Sequence, residues 1–339
     1  MRHFSDPAQA LHAPTRELHN GGWMDFAECP ARFDAMLAEL GPGEPARDFG
    51  LDPILAVHDP AYVAFLQEAH GLWLAAGREG DAMGYVFPVV ARRALALDRI
   101  DAKIGAFAMD ASTPVAAQTW QAAYGAAQAA LTALDAVLQG ERAAFALCRP
   151  PGHHCGRDYM GGYCYLNNAA IAARAAQGRG VKRIAILDVD YHHGNGTQDI
   201  FYDDGAVFFA SLHADPRTDF PFYWGHADER GAGAGEGTTL NLPLPQGTDW
   251  SGYAPALDTA LEAVRAHGAD LLIVSYGADT FAEDPISHFR LAREDYAAMG
   301  KRIAALGLPT LVVMEGGYAV DALGANVAAF LDGLERAAA

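Results

Sequence analysis

From about residue 118 onward, short apolar runs alternate with long alanine-rich stretches of helical periodicity, and this alternation limits the chain to few folds. Such apolar runs are typical of strands buried on both faces of a parallel sheet, and the longer stretches are typical of helices that cover it. The pattern predicts strands at residues 144–148, 183–188, 207–212, 271–275 and 310–314. It predicts helices at residues 118–139, 166–177, 250–267, 291–306 and 320–336. We therefore expect an α/β fold.

The organisation of the chain favours a single domain over residues 1–339. No linker, low-complexity tract, block of like charges or repeat of fixed period divides the sequence. The segment at about 80–115 is less regular, and residues 87–113 in particular have no clean period. Because a structureless stretch of that length inside a compact domain usually has a task, we expect a functional loop or an oligomerisation segment there.

The charge of the chain limits its partners. It carries 24 basic and 42 acidic residues, a formal net charge of −18, which opposes binding to nucleic-acid phosphates and favours the approach of small cations. The amino-terminal stretch has no apolar core after a basic segment, and no apolar run is long enough to span a bilayer. We expect a cytoplasmic protein that binds neither nucleic acid nor membrane.

Polar residues suited to catalysis follow the predicted strands. In an open parallel sheet, ligands bind beyond the carboxyl ends of the strands, so the residues after each strand are the candidates. These residues are His153 and His154 after the first predicted strand, Asp188, Asp190, His192 and His193 around the end of the second, Asp279 after the fourth and Tyr318 after the fifth. Each alone has a structural explanation, such as a helix cap or a buried hydrogen bond. Their convergence on one edge of one sheet predicts an active site.

Two carboxylates and an imidazole predict a catalytic metal. Asp190 and His192 are separated by one residue at the end of a strand, so their side chains point the same way. With Asp279 they can supply three ligands and leave positions for water and substrate, which suits zinc or ferrous iron. Asp188 has the same parity but lies deeper, where it can orient His153.

The remaining polar groups predict the reaction. Histidines beside a metal can act as general base and acid, because imidazole titrates close to neutral pH. A tyrosine hydroxyl opposite them can donate a hydrogen bond to a developing oxyanion. His153, His154 and Tyr318 therefore indicate hydrolysis of an amide or ester by water that the metal activates.

Several long motifs carry a family resemblance. RPPGHH, GGYCYLNN, LDVDYHHGNGTQDIFY, SLHADP, GADTFAEDP and MEGGY, in this order over residues 149–318, resemble the signature blocks of the histone deacetylase family. The TRELHNGG start and the region near residue 100 are similar to the acetylpolyamine amidohydrolase branch. The resemblance implies a three-layer α/β/α fold of the arginase/deacetylase type, with a central, mainly parallel eight-stranded sheet.

The resemblance also implies roles for single residues. The zinc ligands that it implies are Asp190, His192 and Asp279. His154 matches the general base that later protonates the leaving amine, His153 its electrostatic partner, and Tyr318 the tyrosine that stabilises the oxyanion. Asp188 matches the buried carboxylate paired with His153. Asn195 stands where other branches have a carboxylate beside the second histidine, so we expect a lower pKa for His154 than in those branches.

Further positions match sites that surround the zinc in the family. A monovalent-cation site, for potassium, is implied at Asp188, Asp190, His192, Ser211 and Leu212, and Phe201 and Val207 fall near a second one. Gly162, Tyr163 and Phe220 match the walls of the tunnel that admits the acylated amine. Aromatic walls suit a slender alkyl-ammonium stem through apolar contact and cation–π attraction.

The polyamine branch implies a small substrate and a homodimer. In that branch the loop near residue 100 pairs two subunits and narrows the entrance, and acidic residues help to bind the distal amine. Asp101 and Asp110 are the candidates for that role here, whereas Ser112 stands where a glutamate is sometimes found.

Other functions stay open on the sequence alone. Within the same chemistry, the substrate could be a protein lysine or another small amide. An arginase-like hydrolase would need further carboxylates for a second metal, and a silent ligand-binding module would be expected to lose a metal ligand or Tyr318. The sequence favours removal of acetyl groups from small acetylated amines, most of all acetylpolyamines.

Overall fold

The computed structural model describes residues 1–88 and 96–336. The strands are β1 Arg2–Ser5, β2 Arg16–His19, β3 Gly22–Asp25, β4 Glu44–Pro45, β5 Ala143–Ala146, β6 Ile184–Asp188, β7 Val207–Ala214, β8 Thr239–Leu244, β9 Leu271–Tyr276 and β10 Thr310–Met314. The helices are α1 Ala31–Leu40, α2 Asp52–Leu55, α3 Pro60–Ala75, α4 Ile100–Ala106, α5 Thr119–Leu138, α6 Asn168–Gly178, α7 Asn195–Phe201, α8 Trp250–His267, α9 Arg293–Ala304 and α10 Val320–Arg336. Within the described ranges, no helix combines the length and the apolar character that crossing a membrane requires.

One sheet organises the chain. It has eight strands in the order β4-β1-β5-β10-β9-β6-β7-β8. Every neighbouring pair in it is parallel. The central strands β6, β9 and β10 are buried along their whole length, as continuous apolar runs require. The predicted α/β fold with a central, mainly parallel eight-stranded sheet is confirmed.

Helices cover this sheet as the periodicity indicated. α5 contacts β1, β5, β10 and α6, whereas α8 contacts β6, β7, β8 and α9. β10, α8 and α10 have the predicted bounds, and the other predicted strands and helices differ from the structure only at their ends.

The segment at about 80–115 contains more regular structure than its lack of periodicity indicated. Ala82 and Val115 form an antiparallel bridge that closes the segment, and their main chains exchange hydrogen bonds of 2.9 and 2.8 Å. Between them lies the helix α4, so part of this segment is helical, and its role as a functional loop or an oligomerisation segment stays a prediction. Residues 89–95 of the segment lie outside the described residues.

A buried ion cluster joins the amino-terminal part to two loops at the end of the sheet. The Glu28 carboxylate accepts a hydrogen bond of 2.5 Å from Arg32 and lies 2.9 Å from Nε of Arg149, and all three side chains are buried. Arg32 also donates to the main-chain oxygens of Glu315 and Gly317, at 2.7 and 2.6 Å. Arg149 directly precedes the loop with the paired histidines. One carboxylate therefore balances two guanidinium groups that hold separate loops.

We expect Glu28→Gln to lower the free energy of unfolding by about 3 kcal/mol, because it leaves two buried guanidinium groups without their counter-charge. Urea denaturation followed by circular dichroism measures the change. Glu44→Gln is the matched control, since Glu44 pairs with Arg2 at the surface and its loss should cost less than about 1 kcal/mol. Equal losses in the two variants would contradict the role of the cluster.

Candidate active site

The candidate residues follow four strands that are neighbours in the middle of the sheet. β5, β10, β9 and β6 lie side by side. The paired histidines follow β5, Tyr318 follows β10, Asp279 follows β9 and Asp190 follows β6. Because parallel strands end at the same edge, sequence positions far apart are brought to one place. The structure thus brings together the residues that the sequence predicted to converge.

The paired histidines differ in their partners. His153 Nδ1 lies 2.9 Å from Oδ2 of Asp188, and His154 Nδ1 lies 2.7 Å from Oδ1 of Asn195. The two imidazole rings are 4.1 Å apart between centroids. Behind them, the Glu315 carboxylate accepts hydrogen bonds from the main-chain nitrogens of Gly152 and His153, at 2.7 and 3.1 Å. The loop is therefore fixed by its backbone as well as by its side chains.

The unlike partners separate the pKa values of the two histidines. Burial lowers the pKa of His153, but the negative charges of Asp190 and Asp188 outweigh it and raise that pKa to about 10. Burial holds the pKa of His154 well below its usual value, and the nearby His153 and His192 lower it further. His153 is thus suited to stay charged, and His154 to act as a neutral base.

Asp190, His192 and Asp279 form a cluster that could hold a metal ion, and both carboxylates in it are buried. Their ligand atoms all lie within 4.8 Å of one another. Main-chain nitrogens orient the carboxylates: Gly316 donates to Asp190 at 2.8 Å, and Tyr191 donates to Asp279 at 2.9 Å. The three predicted metal ligands are therefore in one place.

Glycines make room for this cluster. A Cβ atom at Gly277 would lie 2.0 Å from Oδ2 of Asp190, and one at Gly316 would lie 2.4 Å from Oδ2 of Asp279. Burial raises the pKa of Asp279 to about 7, and the neighbouring charge of Asp190 adds to the rise. Two carboxylates in so small a space favour a bound cation, and the mixed oxygen and nitrogen donors fit zinc or ferrous iron.

A second group with suitable ligand atoms lies behind the histidine pair. His153, Cys164 and Glu315 also have ligand atoms within 4.8 Å of one another. Burial raises the pKa of the Cys164 thiol well above its usual value, and Glu315 already accepts the main-chain hydrogen bonds of the histidine loop. This group is therefore less suited to a metal, because a thiol binds as its thiolate.

Contacts from two other parts of the chain hold Tyr318. Its main-chain nitrogen donates to Oδ2 of Asp284 at 2.7 Å, and the Arg32 guanidinium lies 4.9 Å from the centre of its ring. Burial raises the pKa of the Tyr318 hydroxyl well above its usual value. The hydroxyl therefore keeps its proton and can donate it in a hydrogen bond.

The predicted tunnel residues surround the histidines. The Phe220 ring meets the His154 ring edge-on at 5.0 Å, and the Tyr163 ring meets the Tyr318 ring at 5.6 Å. Gly162 has φ +52°, and a Cβ there would lie 2.2 Å from Cδ2 of His154. Any residue other than glycine would place its Cβ against the His154 ring at this wall of the predicted tunnel.

The two acidic candidates for amine binding are placed differently. Oδ2 of Asp110 accepts a hydrogen bond of 2.6 Å from the nitrogen of Gly162, next to the tunnel wall. The Asp101 carboxylate pairs with Arg78 and Arg99, both at 2.7 Å, so its charge is already balanced. The structure therefore favours Asp110 over Asp101.

Glu17 is an acidic group that the sequence reasoning missed. It lies on β2, is buried, and accepts a hydrogen bond of 3.0 Å from the hydroxyl of Tyr163. Its other oxygen has no hydrogen-bond partner among the described residues. Burial raises the pKa of Glu17 to about 7. The only sequence signal was the family-like start TRELHNGG, since the isolated hairpin has no apolar period of its own.

Of the residues of the first predicted potassium site, Asp190 and His192 also belong to the metal cluster, and the other three lie on β6 and β7. Asp188 and Ser211 are register partners on β6 and β7. Leu212 follows Ser211 on β7, and the Ser211 hydroxyl lies 2.8 Å from Nδ1 of His213. For the second site, Phe201 ends α7 and Val207 begins β7.

Comparison with known proteins agrees with this geometry. A family model described as the histone deacetylase domain matches residues 27–334. The chain belongs to the histone deacetylase family. Within the family, it is 51% identical over 338 residues to acetylpolyamine amidohydrolase 1 of Pseudomonas aeruginosa, with 97% of each chain covered. It is 48% identical over 337 residues to the acetylpolyamine amidohydrolase of Mycoplana ramosa, with 98% of each covered.

A solved structure gives the same result for the fold. The crystal structure of an acetylpolyamine aminohydrolase from Burkholderia pseudomallei matches with a TM-score of 0.93 at 41% sequence identity, and 98% of each chain is covered. The resemblance inferred from the motifs is thus confirmed at the level of the family and of its fold.

We expect Asn195→Asp to move the acid limb of the pH profile of kcat/KM to higher pH by about one unit. A carboxylate beside Nδ1 stabilises the imidazolium form, so the pKa of His154 rises and the neutral base exists only at higher pH. Asn241→Asp is the matched control, because Asn241 contacts His193 at 3.1 Å and neither of the paired histidines. An unmoved limb in Asn195→Asp would contradict the assignment of His154 as the base.

Proposed function

We propose that this protein is a zinc-dependent amidohydrolase that removes acetyl groups from small acetylated amines, above all acetylpolyamines. The observation that carries the proposal is that His153 and His154 lie beside the Asp190–His192–Asp279 cluster at one end of the sheet, near enough to Tyr318 for the charges of Asp279 and Asp190 to act on its hydroxyl. Relatives that are named acetylpolyamine amidohydrolases support the substrate class.

Asp190, His192 and Asp279 would hold the zinc. When bound, zinc polarises a carbonyl oxygen and makes water a better nucleophile. The protein's own groups supply the proton transfers. His154 enters the reaction neutral because its pKa is low, takes a proton from the attacking water and passes it to the leaving amine. His153, charged between its carboxylate neighbours, offsets the negative charge that develops nearby.

Tyr318 completes the chemistry. Its hydroxyl keeps its proton and donates a hydrogen bond to the oxygen of the acetyl group as charge develops there. Because Asp284 holds the backbone of Tyr318 and Arg32 lies over its ring, little reorganisation would accompany this donation.

The tunnel suits a slender cationic amine. Gly162, Tyr163 and Phe220 would flank the alkyl stem, while Glu17 and Asp110 place carboxyl groups beside the wall, whose charged form an approaching ammonium group would favour. The net charge of −18 adds a weaker attraction over longer range.

Three further features belong to the same proposal. We infer that residues 1–339 form a single catalytic domain. The segment at about 80–115 would pair two subunits into a homodimer and narrow the entrance. Potassium would bind at Asp188, Asp190, His192, Ser211 and Leu212, where oxygen donors are near one another at the ends of β6 and β7.

We expect kcat/KM to be higher for N-acetylputrescine and N8-acetylspermidine than for an acetyl-lysine peptide. Tyr318→Phe should lower kcat about 100-fold, because one oxyanion donor is lost. Dialysis against a chelator should abolish activity, and zinc should restore it. Steady-state kinetics on the three substrates measures these effects. Preference for the peptide would overturn the small-amine substrate, and activity that survives chelation would overturn the metal.

We expect Glu17→Gln to lower kcat/KM for N-acetylputrescine about tenfold, the loss of one charge-assisted contact with the distal ammonium. N-pentylacetamide is the matched control substrate, since it has the same length and no charge. Its kcat/KM should not change, because glutamine keeps the acceptor for Tyr163. Equal losses on both substrates would show that Glu17 acts on the shape of the tunnel and not on the amine.

A further inference from the structure

One carboxylate connects three loops beside the predicted tunnel. Asp219 lies in the loop after β7, and its buried carboxylate accepts a hydrogen bond of 2.6 Å from the hydroxyl of Tyr191, in the loop after β6. It also accepts hydrogen bonds of 3.2 and 3.0 Å from Nε2 of Gln246, in the loop after β8. β6, β7 and β8 are neighbours in the sheet, so these loops meet at one edge of it. Asp219 therefore joins its own loop to the loop on each side.

Asp219 is the acceptor in each of these hydrogen bonds. A carboxylate only accepts, and an amide nitrogen only donates. Burial, together with the Asp219 carboxylate, raises the pKa of Tyr191 well above its usual value, so the hydroxyl keeps the proton that it donates. The hydroxyl of Thr218 is a further donor to Asp219, at 2.6 Å. Donors from three residues therefore hold one side chain in place.

Phe220, the next residue, matches a wall of the predicted tunnel. Its ring meets those of His154 and His192 edge-on, with centroids 5.0 and 6.1 Å away. Within the described part of the chain, the main chain of Phe220 makes no hydrogen bond of its own. The nitrogen of Phe222 donates to the main-chain oxygen of Asp219 at 3.1 Å, so the turn that carries the ring begins at Asp219. The position of the ring therefore depends on where Asp219 is held.

We propose that Asp219 is a positioning residue that sets the width of the tunnel by holding Phe220 against the two histidines. The proposal deepens the proposed function and rests on it, because the tunnel is the one that admits the acetylated amine. A wall held close to the histidines makes contact with a slender alkyl chain and excludes a wider one. Asp219 acts on this selectivity through the position of Phe220 and not through attraction to the charge of the amine.

Two substrates of equal span and unequal width test the proposal. The slender substrate is monoacetylated hexamethylenediamine. The wide substrate is monoacetylated bis(aminomethyl)cyclohexane with its two arms on opposite ring carbons. Both have the same number of carbons along the shortest path between the nitrogens and the same distal ammonium group. They therefore differ in the width of the part that passes Phe220.

We expect Asp219→Ala to raise KM for the slender substrate about tenfold and to leave its kcat within about twofold of the wild-type value. The kcat/KM for the wide substrate should not fall, because a Phe220 ring that is no longer held leaves more room. Steady-state kinetics on the two substrates measures the change in preference. Equal losses on both substrates, or a loss of kcat shared by both, would overturn the proposal, because Asp219 would then act on the metal-ligand loop or on the fold as a whole.

Tyr191→Phe tests the same contact while the ring keeps its packing against His192 and Phe289, at 4.9 and 4.7 Å between centroids. It removes one donor, so the preference for the slender substrate should fall about threefold. In the Asp219→Ala background it should have no further effect, because its partner is already absent. Equal effects of Tyr191→Phe on both substrates would overturn the proposal even where Asp219→Ala is too unstable to assay.

The position of Phe220 can also be followed without turnover. In protein labelled with para-fluorophenylalanine, the 19F signal of Phe220 is assigned by its loss in Phe220→Leu. We expect this signal to shift and broaden in Asp219→Ala. Asp215→Asn is the matched control, because the Asp215 carboxylate pairs with the exposed Arg217 in the same loop, and both the signal and the substrate preference should stay unchanged.

The two measurements separate the proposal from the proposed function. An unmoved Phe220 signal in Asp219→Ala, or the same shift in Asp215→Asn, would overturn the role of Asp219. A wild-type protein without activity on either acetylated diamine would count against the proposed function instead. The 19F measurement would still decide whether Asp219 holds Phe220.

Discussion

The carboxylates of Asp190 and Asp279 are buried and approach each other closely, and much of the surrounding structure follows from that approach. Like charges in a dry space are costly unless hydrogen bonds and a cation compensate them. Main-chain nitrogens of Tyr191 and Gly316 supply hydrogen bonds, and glycine at positions 277 and 316 lets the backbone come close enough to donate them. The glycine-rich loops after β9 and β10 are therefore a requirement of the charged cluster and not merely of the turns.

The centre of the fold could be predicted because its sequence has little ambiguity. β6, β9 and β10 are apolar along their length and buried on both faces, so a local pattern identifies them. β1 and β4 lie at one edge of the sheet, and β4 has only two residues, so neither has a period to detect. They become strands because neighbouring main chains offer hydrogen bonds, which no property of their own residues encodes.

The candidate site also has one part that the sequence predicts and one part that it does not. His153, His154 and the candidate metal ligands could be found because each directly follows a recognisable strand, and strand order alone brings them together. Glu17 and Arg32 could not, because their positions depend on how the amino-terminal segment docks on loops far away in the chain. The surroundings of Asp101 could not be predicted for a similar reason. Its two arginine partners are a feature of the folded segment, and the sequence gives no indication that they balance its charge.

The ion cluster around Glu28 has a consequence for the order of folding. Arg32 bonds to main-chain oxygens 283 and 285 residues further along the chain. During synthesis the amino-terminal segment appears first, yet its guanidinium acquires these partners only when the last strand of the sheet has been made. Contacts of such separation form late and slowly, because a long loop must close before they are gained. Tyr318, whose ring the Arg32 guanidinium overlies, therefore has its full set of contacts only after the chain has been made through the last strand.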